Sequence, residues 1–332
     1  MVNEKISLST RSCLLDILRN SSDSLSGEKI AEKIGVSRVA VWKTIQSLNA
    51  SGYRIASAPL GYHLEQDIGD SLFPWEFGSG EDSVRHWDST DSTMNRAREA
   101  ALSGASDGLV LIAERQSDGR GTGSKKWESA PGGLFFTLIT RPNLNQAYAH
   151  RQVLAAQCAM VRSIRELTGI EAQTAWPNDI LIPGANPLSD STHTPNSPTA
   201  GKAGGILCET LTTGNSISFL NLGIGINTGT QPSLSGTTHI ASGRKELLQT
   251  FLREFEKHPA SDQDLVSHWN SLSATTGKTV RYCDQQNGKN YQGLFTGLDP
   301  AGWAIIVQPE NSTSENHFPP GSISIVNKGS NV

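Results

Sequence analysis

Apolar residues near the N-terminus recur every three or four positions, a spacing that predicts short amphipathic helices. The first helix ends at a polar break over residues 20–24, and a second is predicted over Gly27–Ile34, with Ser26 as its N-cap and Gly35 as the following turn. The apolar positions of the first helix are Cys13, Leu14, Ile17 and Leu18.

A third helix is predicted to begin after Ser37, which has the hydroxyl of a good N-cap. Its inner face carries Val41, Ile45 and Leu48, and its outer face carries Arg38, Trp42, Lys43, Gln46 and Asn49. After Gly52, residues 53–64 contain Pro59 and Gly61 in the middle, a pattern typical of a two-stranded wing. Together these elements predict a winged helix-turn-helix domain.

Charge supports a DNA-binding role for this segment. Residues 1–66 have eight Lys and Arg against six Asp and Glu, a balance of +2, whereas the whole chain carries −4. Residues 37–54 contain three basic residues and no acidic one. We therefore predict contacts to phosphates or base edges, the alternative being a three-helix packing module without a ligand. The predicted DNA-binding residues are Ser37, Arg38, Trp42, Lys43 and Gln46.

Beyond a connector at residues 73–80, short apolar runs alternate with helical patterns, which indicates a new domain. Ser92 and Thr93 stand at the start of a predicted amphipathic helix that ends near Leu102. Two adjacent hydroxyls at a helix start are either caps alone or ligand contacts.

A glycine-rich segment follows the predicted strand at residues 109–113. Gly119, Gly121 and Gly123 alternate with polar residues, and Arg120, Lys125 and Lys126 add positive charge. Alternating glycines let backbone amides approach a ligand, so an anion such as phosphate suits this segment. It matches neither the P-loop nor the dinucleotide fingerprint, and a flexible surface loop is the alternative.

A third polar cluster spans residues 175–182 and continues, after a loop, with Lys202 at the start of another strand. This arrangement predicts one cation at an edge of the sheet. Residues 184–201, rich in Pro, Ser, Thr and Asn, are interpreted as a surface loop, or alternatively as a lid or contact surface.

Composition narrows the classes of protein. The chain has 332 residues, 36% hydrophobic, which is enough for two or three domains with their own cores. Its four cysteines are widely separated and its histidines form no familiar zinc motif, so free thiols and no metal site are expected. The longest apolar runs are too short for a membrane span and no signal core is present, so the expected location is the cytoplasm.

The polar clusters occur in the order found in one family: the chain resembles bifunctional biotin protein ligases that also repress the biotin operon. The resemblance covers nearly the whole chain, and no single motif carries it alone. The matching pieces are the winged helix-turn-helix (25–64), Ser92-Thr93, Gln116 with Gly119-Arg120-Gly121 and Trp127, Trp176-Pro177-Asn178-Asp179, Lys202 before Gly205-Ile206-Leu207, and Gly223-Ile224-Gly225-Ile226-Asn227.

The resemblance implies an α+β multidomain fold. Residues 1–68 would form the winged helix-turn-helix domain. Residues 69–272 would form a mixed α/β, biotin/lipoate-ligase-like catalytic domain of the class II synthetase-like type. Residues 273–332 would form a small SH3-like β-barrel.

The resemblance also implies the reaction. Biotin and ATP, with Mg²⁺, would form biotinyl-5′-AMP, which a lysine of a biotin carboxyl carrier protein of acetyl-CoA carboxylase then attacks. The implied partners are this carrier, operator DNA and, in the ligand-bound state, a second copy of the chain; a membrane is not among them.

Site residues are carried over by the same resemblance. Arg120 and Lys202 would be catalytic, and Trp176 would serve packing. The implied biotin-binding residues are Ser92, Thr93, Gln116, Arg120, Gly121 and Lys202. The implied ATP- or adenylate-binding residues are Gly119, Gly121, Gly123, Trp127, Asn178 and Asn227.

Three positions depart from the family pattern. Ala175 stands where the family has Lys, and Thr122 and Lys125 stand where it has Arg. Lys lacks the bidentate geometry of Arg, so a slower ligase is expected. Two alternatives stay open: a biotin- or biotinyl-AMP-sensing repressor with weak or no ligase activity, and a lipoate ligase, against which the winged N-terminus and the C-terminal region argue.

Overall fold

The computed structural model describes residues 8–123, 125–129, 131–183, 201–229, 240–309 and 314–326. Its backbone divides into two compact units that meet at His86 and Trp87. Of residues 184–201, interpreted above as a surface loop, residues 184–200 lie outside the described residues and Gly201 begins a strand. No helix in the described part of the chain has both the length and the apolar composition to cross a membrane.

The N-terminal unit has the predicted winged helix-turn-helix architecture. Ser26 and Ser37 cap the second and third helices as expected, accepting hydrogen bonds from Lys29 N and Ala40 N at 3.2 Å each. Gly35 ends the second helix in the left-handed conformation. The elements are α1 (Thr10–Arg19), α2 (Gly27–Ile34), α3 (Arg38–Ala50), β1 (Arg54–Ala58) and β2 (Gly61–Gln66).

The wing is tied to both the turn and the third helix. Leu25 and Tyr62 exchange backbone hydrogen bonds of 2.9 and 2.8 Å, and a Cβ at Gly61 would lie 2.1 Å from Leu25 O. Only glycine therefore fits between the wing and this turn. The Asn49 side chain bonds both backbone groups of Ile55, which attaches β1 to the end of α3.

A buried carboxylate fixes the connector to this unit. Glu76 lies in the 3-10 segment Pro74–Ser83, and its fully buried side chain accepts from Arg19 at 2.8 Å and from the Tyr53 hydroxyl. Arg19 also pairs with Asp67 at 2.7 Å. Burial and the hydrogen bond to Glu76 raise the pKa of Tyr53, so the phenol stays a proton donor to this carboxylate.

A seven-stranded sheet follows the winged unit, and its first strand contains the boundary residues His86 and Trp87. In chain order its strands are β3 (Val84–Trp87), β4 (Val110–Ala113), β5 (Leu134–Thr140), β6 (Gln173–Ala175), β7 (Asp179–Ile182), β8 (Gly201–Thr213) and β9 (Ser216–Ile226). Their order in the sheet is β3-β4-β5-β9-β8-β7-β6, and the pairs from β4 to β6 are antiparallel. Because β8 lies between β7 and β9, the prediction that Lys202 stands at an edge of the sheet is wrong.

Helices cover both faces of this sheet. The helix α4 (Thr93–Leu102) packs on the face that carries Ile139. The opposite face carries Phe136, whose ring contacts Phe251 of α6 (Arg244–Lys257). The remaining helices are α5 (His150–Thr168) and α7 (Leu265–Leu272). Alternate residues of β5 thus serve two separate cores, as the two-residue period of a strand requires.

The C-terminal region is a five-stranded antiparallel sheet with the order β13-β12-β11-β10-β14. The described residues show no pairing of β13 with β14 as strands, so the closed SH3-like barrel stays a prediction. Trp176 and Trp269 are buried in one core with apolar residues of this sheet, which confirms that Trp176 serves packing. The strands are β10 (Lys278–Asp284), β11 (Asn290–Leu298), β12 (Ala304–Val307), β13 (Glu315–Phe318) and β14 (Ile323–Val326).

We predict that Glu76→Ala destabilises the N-terminal unit, because the variant leaves Arg19 and Tyr53 without their buried acceptor. The expected loss is about 2 to 3 kcal/mol, below the value for a fully buried pair because the Arg19 side chain is 31% exposed. Chemical denaturation measures the change. Glu65→Ala, which removes a carboxylate that is 47% exposed, is the matched control, and an equal loss in both variants would contradict the prediction.

Candidate functional site

One cavity collects side chains from four distant parts of the chain. It has a volume of about 660 Å³ including its open mouth, and it lies against the N-terminus of α4, the glycine-rich segment, β8 and β9. The predicted site residues that line it are Ser92, Thr93, Gln116, Arg120, Gly121, Trp127, Asn178 and Lys202. The other lining residues are Met94, Thr122, Lys125, Lys126, Gly205, Ile206, Leu207, Gly223, Ile224 and Gly225.

A hydrogen-bond network fixes the end of the cavity near α4. The Gln116 Oε1 accepts from Thr93 N at 2.9 Å and from Thr93 Oγ1 at 3.2 Å, while its Nε2 donates to Ser129 Oγ at 2.9 Å. Thr137 Oγ1 donates to Thr93 Oγ1 at 2.9 Å. Ser92, which is fully buried, caps α4 by accepting from Met94 N. Ser92 is therefore a helix cap and a cavity residue at once.

Trp127 lies on glycines of the two central strands. A Cβ on Gly225 would come within 2.5 Å of the indole, and a Cβ on Gly205 would lie 3.4 Å from it. Gly225 of the motif at residues 223–227 and Gly205 thus leave space for an aromatic ring. The Trp127 Nε1 is buried and has no hydrogen-bond partner among the described residues.

The glycine-rich segment folds back on itself as a small hairpin. Trp127 N donates to Gly119 O at 2.9 Å, and Gly121 N donates to Lys125 O at 2.9 Å. A Cβ on Gly119 would lie 2.4 Å from Trp127 O, so this glycine permits a close backbone approach. The described part of the segment has defined hydrogen bonds and presents Thr122 and Lys125 to the cavity.

Lys202 brings positive charge to the same wall. Its Nζ lies 2.7 Å from Asp179 Oδ1 and 5.6 Å from the centre of the Trp127 ring. The Lys202 and Asp179 side chains are 38% and 33% exposed. A partly exposed ion pair contributes little net stability, so the ammonium group can exchange the carboxylate for another anion at small cost.

Arg120 is held by a carboxylate that the sequence analysis did not identify. Glu209 on β8 pairs with Arg98 of α4 at 2.9 Å and with Arg120 at 3.5 Å. The Glu209 side chain is only 18% exposed. It therefore connects the glycine-rich segment to the sheet and to α4.

Several predicted residues lie beside the cavity instead of on its wall. Gly123 has a φ of 64° and lies in the turn of the hairpin, and Gly119 lies against the backbone oxygen of Trp127. Asn227 follows β9, and its backbone N donates to Ala203 O at 2.8 Å. Ala175 is 8% exposed and does not line the cavity, so its methyl group adds nothing to the cavity wall.

Sequence reasoning missed the residues that support the site through long-range contacts. Met94 could have been found because it follows Thr93 directly in the sequence. Its side chain covers Gly223. Asp179 was noted only as part of a tetrad, and nothing in the sequence indicated Glu209 or Thr137. Their roles depend on strand register: Asp179 pairs with Gly205, three positions beyond Lys202.

The predicted DNA-binding residues share the exposed side of α3. Arg38, Lys43 and Gln46 are exposed, and Trp42 is 52% exposed. Ser37 caps the same helix, so its hydroxyl is already engaged with Ala40 N. This surface combines positive charge, an amide and an indole, a set suited to phosphates and base edges.

Comparison with protein-family models assigns both units. Residues 87–227 match the biotin/lipoate A/B protein ligase family. Residues 10–63 match an HTH domain. The two matches coincide with the sheet that bears the cavity and with the winged N-terminal unit.

Similar proteins are named as biotin ligases, and one of them is also named as a repressor. The bifunctional ligase/repressor BirA of Bacillus subtilis is 31% identical over 313 residues, which cover 86% of this chain and 90% of that protein. The biotin–[acetyl-CoA-carboxylase] ligase of Paracoccus denitrificans is 25% identical over 240 residues, covering 66% of this chain and 92% of that protein. The structure of the biotin protein ligase from Aquifex aeolicus with biotin and ATP has a TM-score of 0.58 and 23% identity, covering 73% of this chain and 98% of that one.

We predict that Gly225→Ala displaces the Trp127 indole, because the new methyl group and the ring cannot occupy the same space. Overpacking of this kind costs about 1 to 3 kcal/mol, so the fold survives. The indole N–H resonance of Trp127 in a ¹⁵N spectrum should shift. Gly69→Ala is the control, since a Cβ at Gly69 meets nothing within 4 Å. An unshifted Trp127 resonance in Gly225→Ala would show that the ring does not depend on this glycine.

Proposed function

The chain belongs to the family of bifunctional biotin protein ligases and repressors, and on this premise we propose that the cavity beside Trp127 joins biotin to ATP and passes biotin to a carrier-protein lysine. One observation carries the proposal. The cavity has a hydrogen-bonding end formed by Ser92, Thr93 and Gln116, and it also contains Lys202 above the indole. A polar ring system at one end and an anion at the other suit this arrangement.

The reaction needs charge stabilisation more than a protein nucleophile. A biotin carboxylate oxygen attacks the α-phosphorus of ATP, the bond to the β-phosphate oxygen breaks, and biotinyl-5′-AMP and pyrophosphate form. The carrier lysine, as a neutral amine, then attacks the acyl carbon, AMP leaves with the bonding electron pair, and the nitrogen loses one proton to water as the amide forms. Both reactants of the first step are anions, so cations must offset their repulsion.

The hydrogen-bond donors that Gln116 and Ser92 leave unused support binding of biotin at this end of the cavity. The Gln116 Nε2 has two protons and gives one to Ser129, so one remains for a ligand carbonyl. The Ser92 hydroxyl accepts from Met94 N, so its proton remains a donor. These groups suit the carbonyl of the biotin ureido ring, and the network through Thr93 and Thr137 holds them in place.

Lys202 and Trp127 suit the other half of the intermediate. The Lys202 ammonium can leave Asp179 for the biotin carboxylate and α-phosphate, as a partly exposed pair allows. The buried Trp127 Nε1 offers a donor, and Arg120, Lys125 and Lys126 add cations around the same cavity. Asn178 and Asn227 complete the proposed adenylate-binding set, with Gly119, Gly121 and Gly123 shaping the hairpin.

Mg²⁺ would arrive with the ATP phosphates. The described residues lining the cavity include no carboxylate, and nearby Asp179 is paired with Lys202. The cavity therefore suits a cation that keeps water and phosphate ligands, which is how Mg²⁺ commonly binds. The ion would shield charge between the phosphates during attack.

The winged unit supplies the second activity, repression through operator DNA. We propose that ligand-bound chains bind DNA as a homodimer, since a two-fold dimer reads two symmetric half-sites. The carrier substrate would be the biotin carboxyl carrier protein of acetyl-CoA carboxylase, and the cytoplasm is the compartment in which ATP, carrier and operator meet.

A sensing repressor with weak ligase activity is the second candidate function. Thr122 favours it, because it occupies the cavity wall at a position where the family has Arg. Losing one charge-assisted contact in the transition state costs about 2 to 4 kcal/mol, judged by the removal of single oxyanion donors. Lys125 and Lys126 line the same wall and counteract this loss. The alternative of a lipoate ligase does not account for the presence of the winged unit.

We predict that Lys202→Ala strongly lowers the rate of biotinyl-5′-AMP formation, because it removes the cation proposed to offset the charges of the two anions. Loss of a single group of this kind lowers the rate by about 10² to 10³-fold, measured as biotin-dependent pyrophosphate release. Lys289→Ala removes an exposed cation from the C-terminal region and should leave the rate unchanged. Full turnover by Lys202→Ala would exclude the proposed role.

We predict that Arg38→Ala combined with Lys43→Ala weakens operator binding by the full chain and lowers the salt dependence of the affinity, because two phosphate or base contacts are lost. Fluorescence anisotropy with operator DNA measures both quantities. Ligation should stay intact. Lys278→Ala combined with Lys289→Ala changes the net charge equally at two exposed positions, and an equal loss of affinity in this control would refute a specific role for α3.

A further inference from the structure

Two imidazoles and a carboxylate lie close together in the second unit, and none of the three lines the cavity beside Trp127. His258 follows the end of α6, Asp262 lies in the next loop, and His268 belongs to α7. Their ligand atoms all lie within 4.8 Å of one another. The sequence spacing matches no familiar zinc motif, which is why the sequence analysis predicted no metal site.

The distances from the Asp262 carboxylate to the two imidazoles are too long for direct hydrogen bonds but close to those between ligands of one metal ion. The Asp262 Oδ2 lies 3.9 Å from His258 Nδ1 and 3.7 Å from His268 Nδ1. Both distances exceed normal hydrogen-bond lengths. Ligand atoms about 2.1 Å from a tetrahedral zinc ion stand about 3.4 Å apart, so small side-chain rotations bring this carboxylate and the imidazoles onto one ion.

The carboxylate is already oriented toward the two rings. The other oxygen of Asp262 accepts from Asp264 N at 3.0 Å, and the backbone oxygen of Asp262 accepts from Arg151. The rings of His258 and His268 meet edge to face with centroids 5.9 Å apart. The three side chains are 31%, 24% and 39% exposed, so water can complete a coordination shell.

Charged side chains of both signs act on His258 from neighbouring positions. Arg162 repels a cation, whereas Glu254 attracts one. Two imidazoles and one carboxylate are a ligand set preferred by zinc and similar divalent ions.

We propose that His258, Asp262 and His268 bind a divalent transition-metal ion of the zinc class, with water as the remaining ligand. The ion would join the end of α6 to α7. The next residue, Trp269, donates to Gln157 Oε1 at 2.9 Å, and Gln157 Nε2 donates to the backbone oxygens of Ala175 and Asp179 at 2.9 Å each. The site thus stabilises the helices that support the strand bearing Asp179.

The test uses the full-length chain after treatment with a chelator. Titration calorimetry with zinc chloride should show one equivalent bound, and saturating zinc should raise the melting temperature. His258→Gln combined with His268→Gln should weaken zinc binding at least about tenfold and remove the thermal shift. His63→Gln combined with His317→Gln is the matched control, since it removes two histidines located elsewhere and should bind as the native chain does.

Two further measurements keep the proposal open to refutation. Asp262→Asn retains the size of the side chain and should also weaken binding, which guards against a misfolded double variant. Cobalt substitution should give d–d bands without thiolate charge transfer. Absence of zinc binding, equal binding by the double variant, or a thiolate band that places the ion on cysteine would each overturn the proposal.

Discussion

The indole of Trp127 can lie against the central strands only because two positions there have no side chain. Gly205 on β8 and Gly225 on β9 leave this space, and any Cβ at Gly225 would overlap the ring. The glycine-rich hairpin closes on the same ring, because Trp127 N donates to Gly119 O. Removing these glycines would therefore displace the ring, the hairpin and the cavity wall together. Three motifs far apart in the sequence serve one packing requirement.

Charge is the second constraint on the site. The proposed condensation brings two anions together. The cavity contains cations that are already paired with partly exposed carboxylates. Lys202 is paired with Asp179 and Arg120 with Glu209. Such pairs hold the side chains near the cavity at low energetic cost and can be exchanged for ligand phosphate or carboxylate. Thr122 lines the cavity without a charge, and Lys125 and Lys126 line it beside Thr122.

Local signals in the sequence predicted local structure well. Hydroxyl caps at Ser26 and Ser37 and the turn at Gly35 located the winged domain, because these features depend on neighbouring residues only. The contacts of Glu209 and Asp179 could not be predicted, since they depend on how β7, β8 and β9 align: Arg120 and Glu209 are 89 residues apart. The C-terminal strands were predicted as a barrel; the described residues form a five-stranded antiparallel sheet, and closure of the barrel stays a prediction. The roles assigned to individual site residues remain predictions.

Transfer of labelled biotin by the native chain to a biotin carboxyl carrier domain tests the central claim most directly. The account predicts label on the carrier lysine that requires ATP and Mg²⁺ and is matched by release of one pyrophosphate per biotin transferred. Binding of biotin and ATP without transfer would contradict it and would establish a sensor built on a ligase fold.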